Sequence, residues 1–250
     1  MLVHKFIDGK KPIMVLLHGL LTPWQIWMPQ ICAFKDLYNI YAIALNAHTE
    51  EAASEFLSVS AEEEEITAFF VNNGIDAIDV LCGLSLGGKI AYEIWKNGRL
   101  HISNLVMDGA PLAPCPKFAI KIMEKNYKDI ILHSKKRNKN VIANLPGFLP
   151  EKCWNSYLRI ADLFSDRSIE NIVHTVFAGG KIESIENHGR ILFIHGTKPN
   201  EILSRLSAGL LKKHHPATQV VCFRGDAHCQ KVIFQPEKWT AVLRNFLENQ

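Results

Sequence analysis

Residues 81–90, LCGLSLGGKI, lie between an apolar run and an amphipathic run, and two known patterns overlap in them. Read as G-x-S-x-G, they predict a nucleophile elbow, in which Ser85 sits on a sharp turn between a strand and a helix. Read as G-x-x-x-x-G-K, they approach a phosphate-binding loop with Lys89 as the phosphate ligand. Such a loop needs Ser or Thr directly after its Lys to bind Mg²⁺, and Ile90 stands there instead. The stretch therefore favours the elbow.

Apolar runs of strand length recur on both sides of this elbow. They are continuous rather than alternating, which is typical of parallel strands buried on both faces. The runs are residues 12–19, 39–45, 78–83, 102–109, 190–196 and 218–223. Helical patterns separate most of them, so the chain is predicted to be an α/β protein with a mostly parallel central sheet flanked by helices.

Helix boundaries are indicated by local signals. Residues 60–63 read as a capping box that opens a helix, and Gly98 reads as the C-cap of the helix that follows the elbow. Pro236 stands at an N-terminal position of the last helix. Residues 111–188 contain helical patterns without a convincing strand. We therefore expect a core domain of residues 1–110 and 189–250, with 111–188 inserted as a helical lid.

The composition excludes several classes of protein. A net charge of +3 gives no strong attraction to nucleic acid, and no segment has the length of a membrane span or the apolar core of a signal peptide. The six cysteines are scattered without a C-x-x-C pair, as expected of reduced thiols. These features favour a soluble cytoplasmic protein that neither binds nucleic acid nor inserts into membranes.

Two further stretches complement the elbow. His18-Gly19 ends the first strong strand, so the backbone N–H of Leu20 could join that of Leu86 to bind an oxyanion, with His18 bracing the loop. His228 lies in the loop between the final strand and the final helix. An imidazole there could accept the proton of Ser85, because histidine titrates near neutrality.

These features together resemble the α/β-hydrolase superfamily, in its lidded, esterase- or lipase-like form. The resemblance rests on HGLL after an early strand, GLSLGG at the elbow, the helical insertion, ILFIHGTK, and GDAHCQ followed by QPEKW. It covers nearly the whole chain. It implies a catalytic triad in the order nucleophile, acid, histidine, whose two ends are matched by Ser85 and His228. It also implies that the chain needs no metal and no organic cofactor.

The triad acid is where the chain departs from the family. The family usually places Asp or Glu a few residues beyond HG on the penultimate strand, and Pro199 stands at about that position. Asp108, which ends another strand, is the preferred candidate, because some members carry the acid there. Glu201 is the alternative if the loop has shifted by two residues, and Asn200 is a third candidate.

The predicted function is hydrolysis of a carboxylic ester or thioester of a small molecule through an acyl-enzyme on Ser85. Because the usual acid is missing, a degenerate hydrolase that only binds a small molecule is an alternative. Other chemistries of the same fold, such as C–C bond hydrolysis and acyl transfer, stay open, since a fold does not define a reaction. The sequence determines neither the substrate nor the oligomeric state.

Overall fold

The computed structural model describes residues 1–178, 182–183 and 189–249 and contains a seven-stranded sheet. The strands are β1 (Leu2–Phe6), β2 (Ile13–Leu17), β3 (Asn39–Ala44), β4 (Ala77–Leu84), β5 (His101–Asp108), β6 (Arg190–Gly196) and β7 (Gln219–Phe223). Their order is β1-β3-β2-β4-β5-β6-β7. Strands β2 to β7 are parallel, and β1 runs antiparallel to β3 at one edge. The predicted mostly parallel sheet is confirmed.

Among the strands that the structure describes, β1 alone was not predicted by the sequence patterns. It pairs on one side only and is half-buried, so it carries polar residues such as His4 and Lys5 among its apolar ones. An edge strand of this kind lacks the continuous apolar run of the central strands, which is the signal that identified the other six.

Helices cover both faces of the sheet. Those of the core are α1 (Met28–Phe34), α2 (Val59–Asn72), α3 (Leu86–Asn97), α8 (Ile202–His214), α9 (Gln230–Phe234) and α10 (Pro236–Glu248). Gly98 ends α3 with φ +70°, and Pro236 is the first residue of α10, as the sequence indicated. Helix α2 begins two residues earlier than predicted. Its N-cap is Ser58, whose hydroxyl accepts the Ala61 N–H at 3.0 Å, and not Ser60.

Between β5 and β6, the described residues form four α-helices: α4 (Lys117–Lys135), α5 (Lys139–Asn144), α6 (Trp154–Leu163) and α7 (Asp166–Phe177). We call residues 117–177, which contain these helices and the segments that connect them, the helical insertion. Residues 179–181 and 184–188, which the predicted lid also included, lie outside the described residues. Helix α7 is tied to the core, because Ser168 Oγ accepts the Phe56 N–H at 3.1 Å and Asn171 donates to the Phe56 carbonyl at 2.9 Å. Helix α7 is therefore attached to the loop at Phe56 by two hydrogen bonds.

Within the described ranges, no helix combines the length and the apolar character needed to cross a bilayer.

A buried carboxyl group lies in the first turn of α2. Glu62 is 1% exposed, and its Oε2 accepts the N–H of Asn46, in the loop that follows β3, at 3.2 Å. Burial raises the pKa of Glu62 to about 7, although the hydrogen bonds from Asn46 oppose the shift. The folded state therefore holds a proton at Glu62 that the unfolded chain releases at a lower pH.

The Glu62→Gln variant tests how much folding stability is lost when the buried Glu62 carboxyl group ionises. Since the pKa of Glu62 is higher in the folded than in the unfolded state, wild-type stability is lost as pH rises from about 4.5 to about 7. We expect the variant to be more stable than the wild type by roughly 1–3 kcal/mol at pH 8, with the difference vanishing near pH 4.5. Urea unfolding at both pH values measures it. Glu51→Gln, in an exposed loop, is the control and should show no such pH-dependent gain. A Glu62→Gln variant no more stable at pH 8 than at pH 4.5 would contradict the assignment.

Candidate active site

The carboxyl ends of the parallel strands meet at one edge of the sheet, and the predicted site residues gather there. Leu20 follows β2, Ser85 follows β4, Asp108 ends β5, Glu201 follows β6, and His228 follows β7. Leu20, Ser85 and His228 line a cavity of about 800 Å³. Asp108 and Glu201 are buried beneath it, at 3% and 0% exposure.

Ser85 occupies a strained turn between β4 and α3. Its φ of +49° and ψ of −109° are unusual for a residue with a side chain, and its N–H donates to the Asp108 carbonyl at 2.8 Å. The turn closes only because Gly83 and Gly87 lack side chains. A Cβ at Gly87 would collide with the backbone of β2, and a Cβ at Gly83 would collide with Gly87 itself. The geometry is that of a nucleophile elbow.

Lys89 does not face the turn as a phosphate ligand would. It is 3% exposed, and its Nζ donates to Glu93 at 2.9 Å, one helical turn further along α3. Lys89 is therefore not placed to bind a phosphate, as the phosphate-loop interpretation of residues 83–89 requires.

Two backbone N–H groups stand where an oxyanion site was predicted. Leu86 is the first residue of α3, so its N–H has no acceptor within the helix, and it lies at the positive end of the helix dipole. Leu20 lines the cavity, and no acceptor for its N–H lies among the residues that the structure describes. Both donors are therefore available to a ligand oxygen.

His18 braces the loop that carries Leu20. It is 0% exposed; its Nδ1 donates to the Gly19 carbonyl at 2.8 Å, and its Nε2 accepts the Leu45 N–H at 3.1 Å. Burial lowers the pKa of His18 to about 4, despite the opposing hydrogen bond to Gly19. A neutral imidazole with both nitrogens engaged is a structural support and not a base.

His228 is held by Glu201. The distance from His228 Nδ1 to Glu201 Oε1 is 2.9 Å. Burial alone would raise the pKa of Glu201, but the hydrogen bond and the charge of His228 outweigh it and bring the pKa below its usual range. Glu201 is thus an ionised acceptor. It keeps the proton on Nδ1 and leaves the lone pair on Nε2.

The sequence-based preference for Asp108 as the orienting carboxylate does not agree with this geometry. Asp108 Oδ2 accepts a hydrogen bond from Trp239 Nε1 at 2.9 Å. Burial and the charge of Glu201 raise the pKa of Asp108 to about 7, so a second negative charge beside Glu201 is disfavoured. Glu201, the alternative, replaces it. Asn200, the third candidate, lines the cavity without a hydrogen bond to His228.

The loop after β6 explains why Glu201 reaches the histidine although it lies two residues beyond Pro199. Residues Pro199–Glu201 form a single 3₁₀ turn directly after the strand. The turn coils the chain, so that Glu201 stays near the end of β6 instead of moving away from it. The 3₁₀ turn therefore compensates for the displacement of the carboxylate by two residues along the sequence.

The His228 ring packs against Gly109, immediately after β5. A Cβ on Gly109 would stand 2.5 Å from His228 Cε1. Gly109 also has φ +70°, so both the close contact and the backbone conformation favour glycine at this position. Next to the histidine, the Cys229 thiol contacts the Asp108 carbonyl at 3.5 Å. Burial raises its pKa well above the usual value, so this sulfur stays protonated and is a poor nucleophile.

Ser85 Oγ and His228 Nε2 have no hydrogen-bond partner among the described residues. Both side chains face the same cavity. The hydroxyl and the imidazole are therefore both accessible from one cavity.

Apolar side chains from four further parts of the chain line much of the rest of the cavity. The helical insertion contributes Met123, Tyr127, Phe148 and Phe177, the loop after β5 contributes Pro111, α8 contributes Ile202 and Leu203, and α9 contributes Ile233 and Phe234. Of these, Phe148, Ile202 and Phe234 are also exposed to solvent, so they form its rim. In the part of the chain that the structure describes, no three His, Cys, Asp or Glu side chains are grouped so that they could bind a metal ion.

Comparison with known proteins identifies the fold. The chain superimposes on an α/β-hydrolase family protein from Desulfitobacterium hafniense with a TM-score of 0.77 and 18% identity, covering 98% of this chain and 99% of that one. For a marine microorganism esterase the values are 0.76 and 18%, with 98% of each chain covered. For an esterase from Exiguobacterium antarcticum they are 0.75 and 16%, with 99% of this chain and 95% of that one covered. No protein-family model and no curated protein matches the sequence. The chain has the α/β-hydrolase fold.

The two carboxylates can be distinguished by the reactivity of Ser85. Glu201→Gln removes the charge that holds His228 Nδ1–H, and we expect it to slow phosphonylation of Ser85 by a fluorophosphonate probe about 10³-fold or more. Asp108→Asn keeps an acceptor for Trp239, and we expect labelling within about threefold of wild type, since Asp108 does not contact the imidazole. Labelling rates from intact-protein mass spectrometry measure both. Faster labelling of Glu201→Gln than of Asp108→Asn would reverse the assignment.

Proposed function

We propose that the chain is a serine hydrolase that cleaves esters or thioesters of small molecules with an apolar acyl group. The observation that carries the proposal is the hydrogen bond between buried Glu201 and His228, in a cavity that also contains the strained Ser85 turn. Two of the similar structures are esterases, which supports the same reaction class.

In the proposed reaction, Ser85 Oγ attacks the substrate carbonyl carbon while His228 Nε2 takes the hydroxyl proton. Glu201 stabilises the resulting imidazolium, and the N–H groups of Leu20 and Leu86 bind the tetrahedral oxyanion. Collapse breaks the C–O or C–S bond, and His228 returns the proton to the leaving alcohol or thiol. Water then attacks the acyl-enzyme carbonyl carbon while His228 takes one of its protons. Collapse of this second tetrahedral intermediate breaks the bond between the acyl carbon and Ser85 Oγ, His228 returns the proton to Ser85 Oγ, and the carboxylic acid is released.

The cavity wall supports an apolar acyl group as the occupant. Met123, Phe148 and Phe177 from the helical insertion contribute carbon surface, which gains free energy when an alkyl or aryl group displaces water from it. Lys198 is the cation among the described lining residues, and the described wall contains no aspartate or glutamate. A substrate bearing a positive charge would find no counter-charge there.

The alternative of a degenerate, binding-only protein rested on the missing acid at Pro199. The hydrogen bond of ordinary length between Glu201 and His228 supports Glu201 as this acid. It therefore favours the hydrolase over the binding-only alternative. C–C bond hydrolysis and acyl transfer would use the same residues and differ in what the substrate supplies.

Covalent labelling tests the nucleophile. We expect a fluorophosphonate probe to modify the wild type at Ser85, and p-nitrophenyl butyrate hydrolysis to disappear in Ser85→Ala and His228→Ala. Ser60→Ala is the control, because Ser60 is an exposed serine on α2 and lies outside the cavity. It should keep both labelling and turnover. Modification at another residue, or turnover that survives in Ser85→Ala, would sink the proposal.

Acyl-chain preference tests the substrate class. Each methylene buried against the wall contributes about 0.8 kcal/mol, so kcat/KM for p-nitrophenyl esters should rise up to about fourfold per carbon from acetate to hexanoate. Replacing the rim residue Phe148 or Phe234 with serine should flatten this rise. Leu37→Ser, which removes an apolar side chain that is 54% exposed and outside the cavity, should leave it unchanged. A preference for acetate throughout would contradict an apolar acyl group.

A further inference from the structure

The loop that presents the Leu20 N–H to the cavity is anchored to a histidine from a different part of the chain. His48 lies in the loop after β3 and is 0% exposed. Its Nε2 lies 3.0 Å from the backbone nitrogen of Leu21, and its Nδ1 lies 3.1 Å from the Asn46 carbonyl oxygen. Because an N–H can only donate and a carbonyl can only accept, Nδ1 carries the proton and Nε2 accepts. One neutral tautomer satisfies both bonds.

Both segments joined by this hydrogen bond are strained. Leu21 has φ +58° and Ala47, the residue before His48, has φ +65°, and neither is a glycine. Left-handed backbone is unfavourable at residues with a side chain, and it persists only where surrounding contacts impose it. Strain on both sides of a single buried hydrogen bond indicates that the bond holds these loops in a conformation they would not adopt alone.

The strained conformation fixes the direction of the Leu20 N–H. The carbonyl of Gly19 and the N–H of Leu20 belong to one planar trans peptide unit, so they point in opposite directions. The Gly19 carbonyl accepts hydrogen bonds from His18 Nδ1 at 2.8 Å and from Thr22 Oγ1 at 2.8 Å. His48 fixes the next peptide unit through the Leu21 N–H. With both units held, the Leu20 N–H stays directed away from the loop interior.

We propose that His48 is a positioning residue for the oxyanion site: its neutral imidazole holds the Leu21 amide, and thereby the Leu20 amide, in the orientation that binds the tetrahedral intermediate. This inference rests on the proposed function, because it assigns a role within the same reaction. His48 touches neither the substrate nor the reacting atoms, so it acts only through the loop.

The environment of His48 suits this role. Its ring packs against His18, with centroids 4.8 Å apart, and edge-on against Phe164 of the helical insertion, with centroids 5.0 Å apart. Burial and the neighbouring His18 lower the pKa of His48 well below its usual value, so Nε2 keeps its lone pair at neutral pH. A protonated ring would lose the acceptor for Leu21.

Three variants separate positioning from stability. His48→Phe keeps a ring but removes the acceptor, His48→Gln places an amide oxygen near the position of Nε2, and Phe164→Leu removes ring packing but keeps His48. The readouts are kcat and KM for p-nitrophenyl butyrate, the inhibition constant of a trifluoromethyl ketone that forms an oxyanion on Ser85, and the melting temperature.

We expect His48→Phe to lower kcat by about 10- to 100-fold, to weaken the trifluoromethyl ketone by a similar factor, and to change KM by less than about threefold. His48→Gln should recover kcat to within about fivefold of wild type, since it restores the acceptor. Phe164→Leu should lower the melting temperature and leave kcat within about twofold of wild type. These variants would overturn the proposal if His48→Phe bound the ketone as tightly as wild type, or if Phe164→Leu lost as much kcat as His48→Phe.

A measurement on the wild type keeps the proposal falsifiable if His48→Phe does not fold. A two-bond proton–nitrogen correlation spectrum of the labelled protein should show His48 protonated at Nδ1 and unprotonated at Nε2. Protonation at Nε2 would overturn the proposal by itself. Absence of wild-type turnover and labelling would instead overturn the proposed function. Normal wild-type turnover together with an unimpaired His48→Phe overturns only the role of His48.

Discussion

The structure of this edge of the sheet depends on how closely three backbones approach one another at the elbow. Helix α3 starts against the carbonyls at the end of β2, and Gly83 and Gly87 leave no space for a Cβ at the contact. This approach forces Ser85 into a positive φ and directs the first N–H of α3 towards the same cavity as its hydroxyl. The nucleophile candidate and one oxyanion donor therefore arise from a single packing constraint.

Burial then assigns different charge states to the ionisable groups around the elbow. His18 and His48 are buried with both ring nitrogens engaged by backbone groups, so they remain neutral supports. Asp108, bonded to Trp239, has a raised pKa, whereas Glu201 keeps its charge because His228 compensates for the cost of burying it. One anion thus faces the imidazole, which is the charge arrangement that a histidine base requires.

Sequence patterns predicted the features that depend on neighbours a few residues apart. The six parallel strands followed from continuous apolar runs, the elbow from its glycines, and the end of α3 from Gly98. The patterns failed where two neighbouring residues offered the same helix-capping signal, or where a strand lacked an apolar run. Ser58 caps α2 in place of Ser60. Strand β1 pairs only with β3 and contains polar residues, so its sequence lacks a continuous apolar run. His48 follows β3 at the same sheet edge as the other site residues, but no spacing rule marks it as the partner of Leu21.

The sequence by itself determined the fold class, the position of Ser85 on a strained turn and the placement of His228 after the last strand, because periodicity and turn chemistry act within one element. Only the tertiary structure decided which carboxylate meets the imidazole. That choice depends on the 3₁₀ turn after β6, which brings Glu201 to His228. It also depends on α10, whose Trp239 donates a hydrogen bond to Asp108. Both are contacts between segments far apart in the chain, and no local pattern encodes their distance.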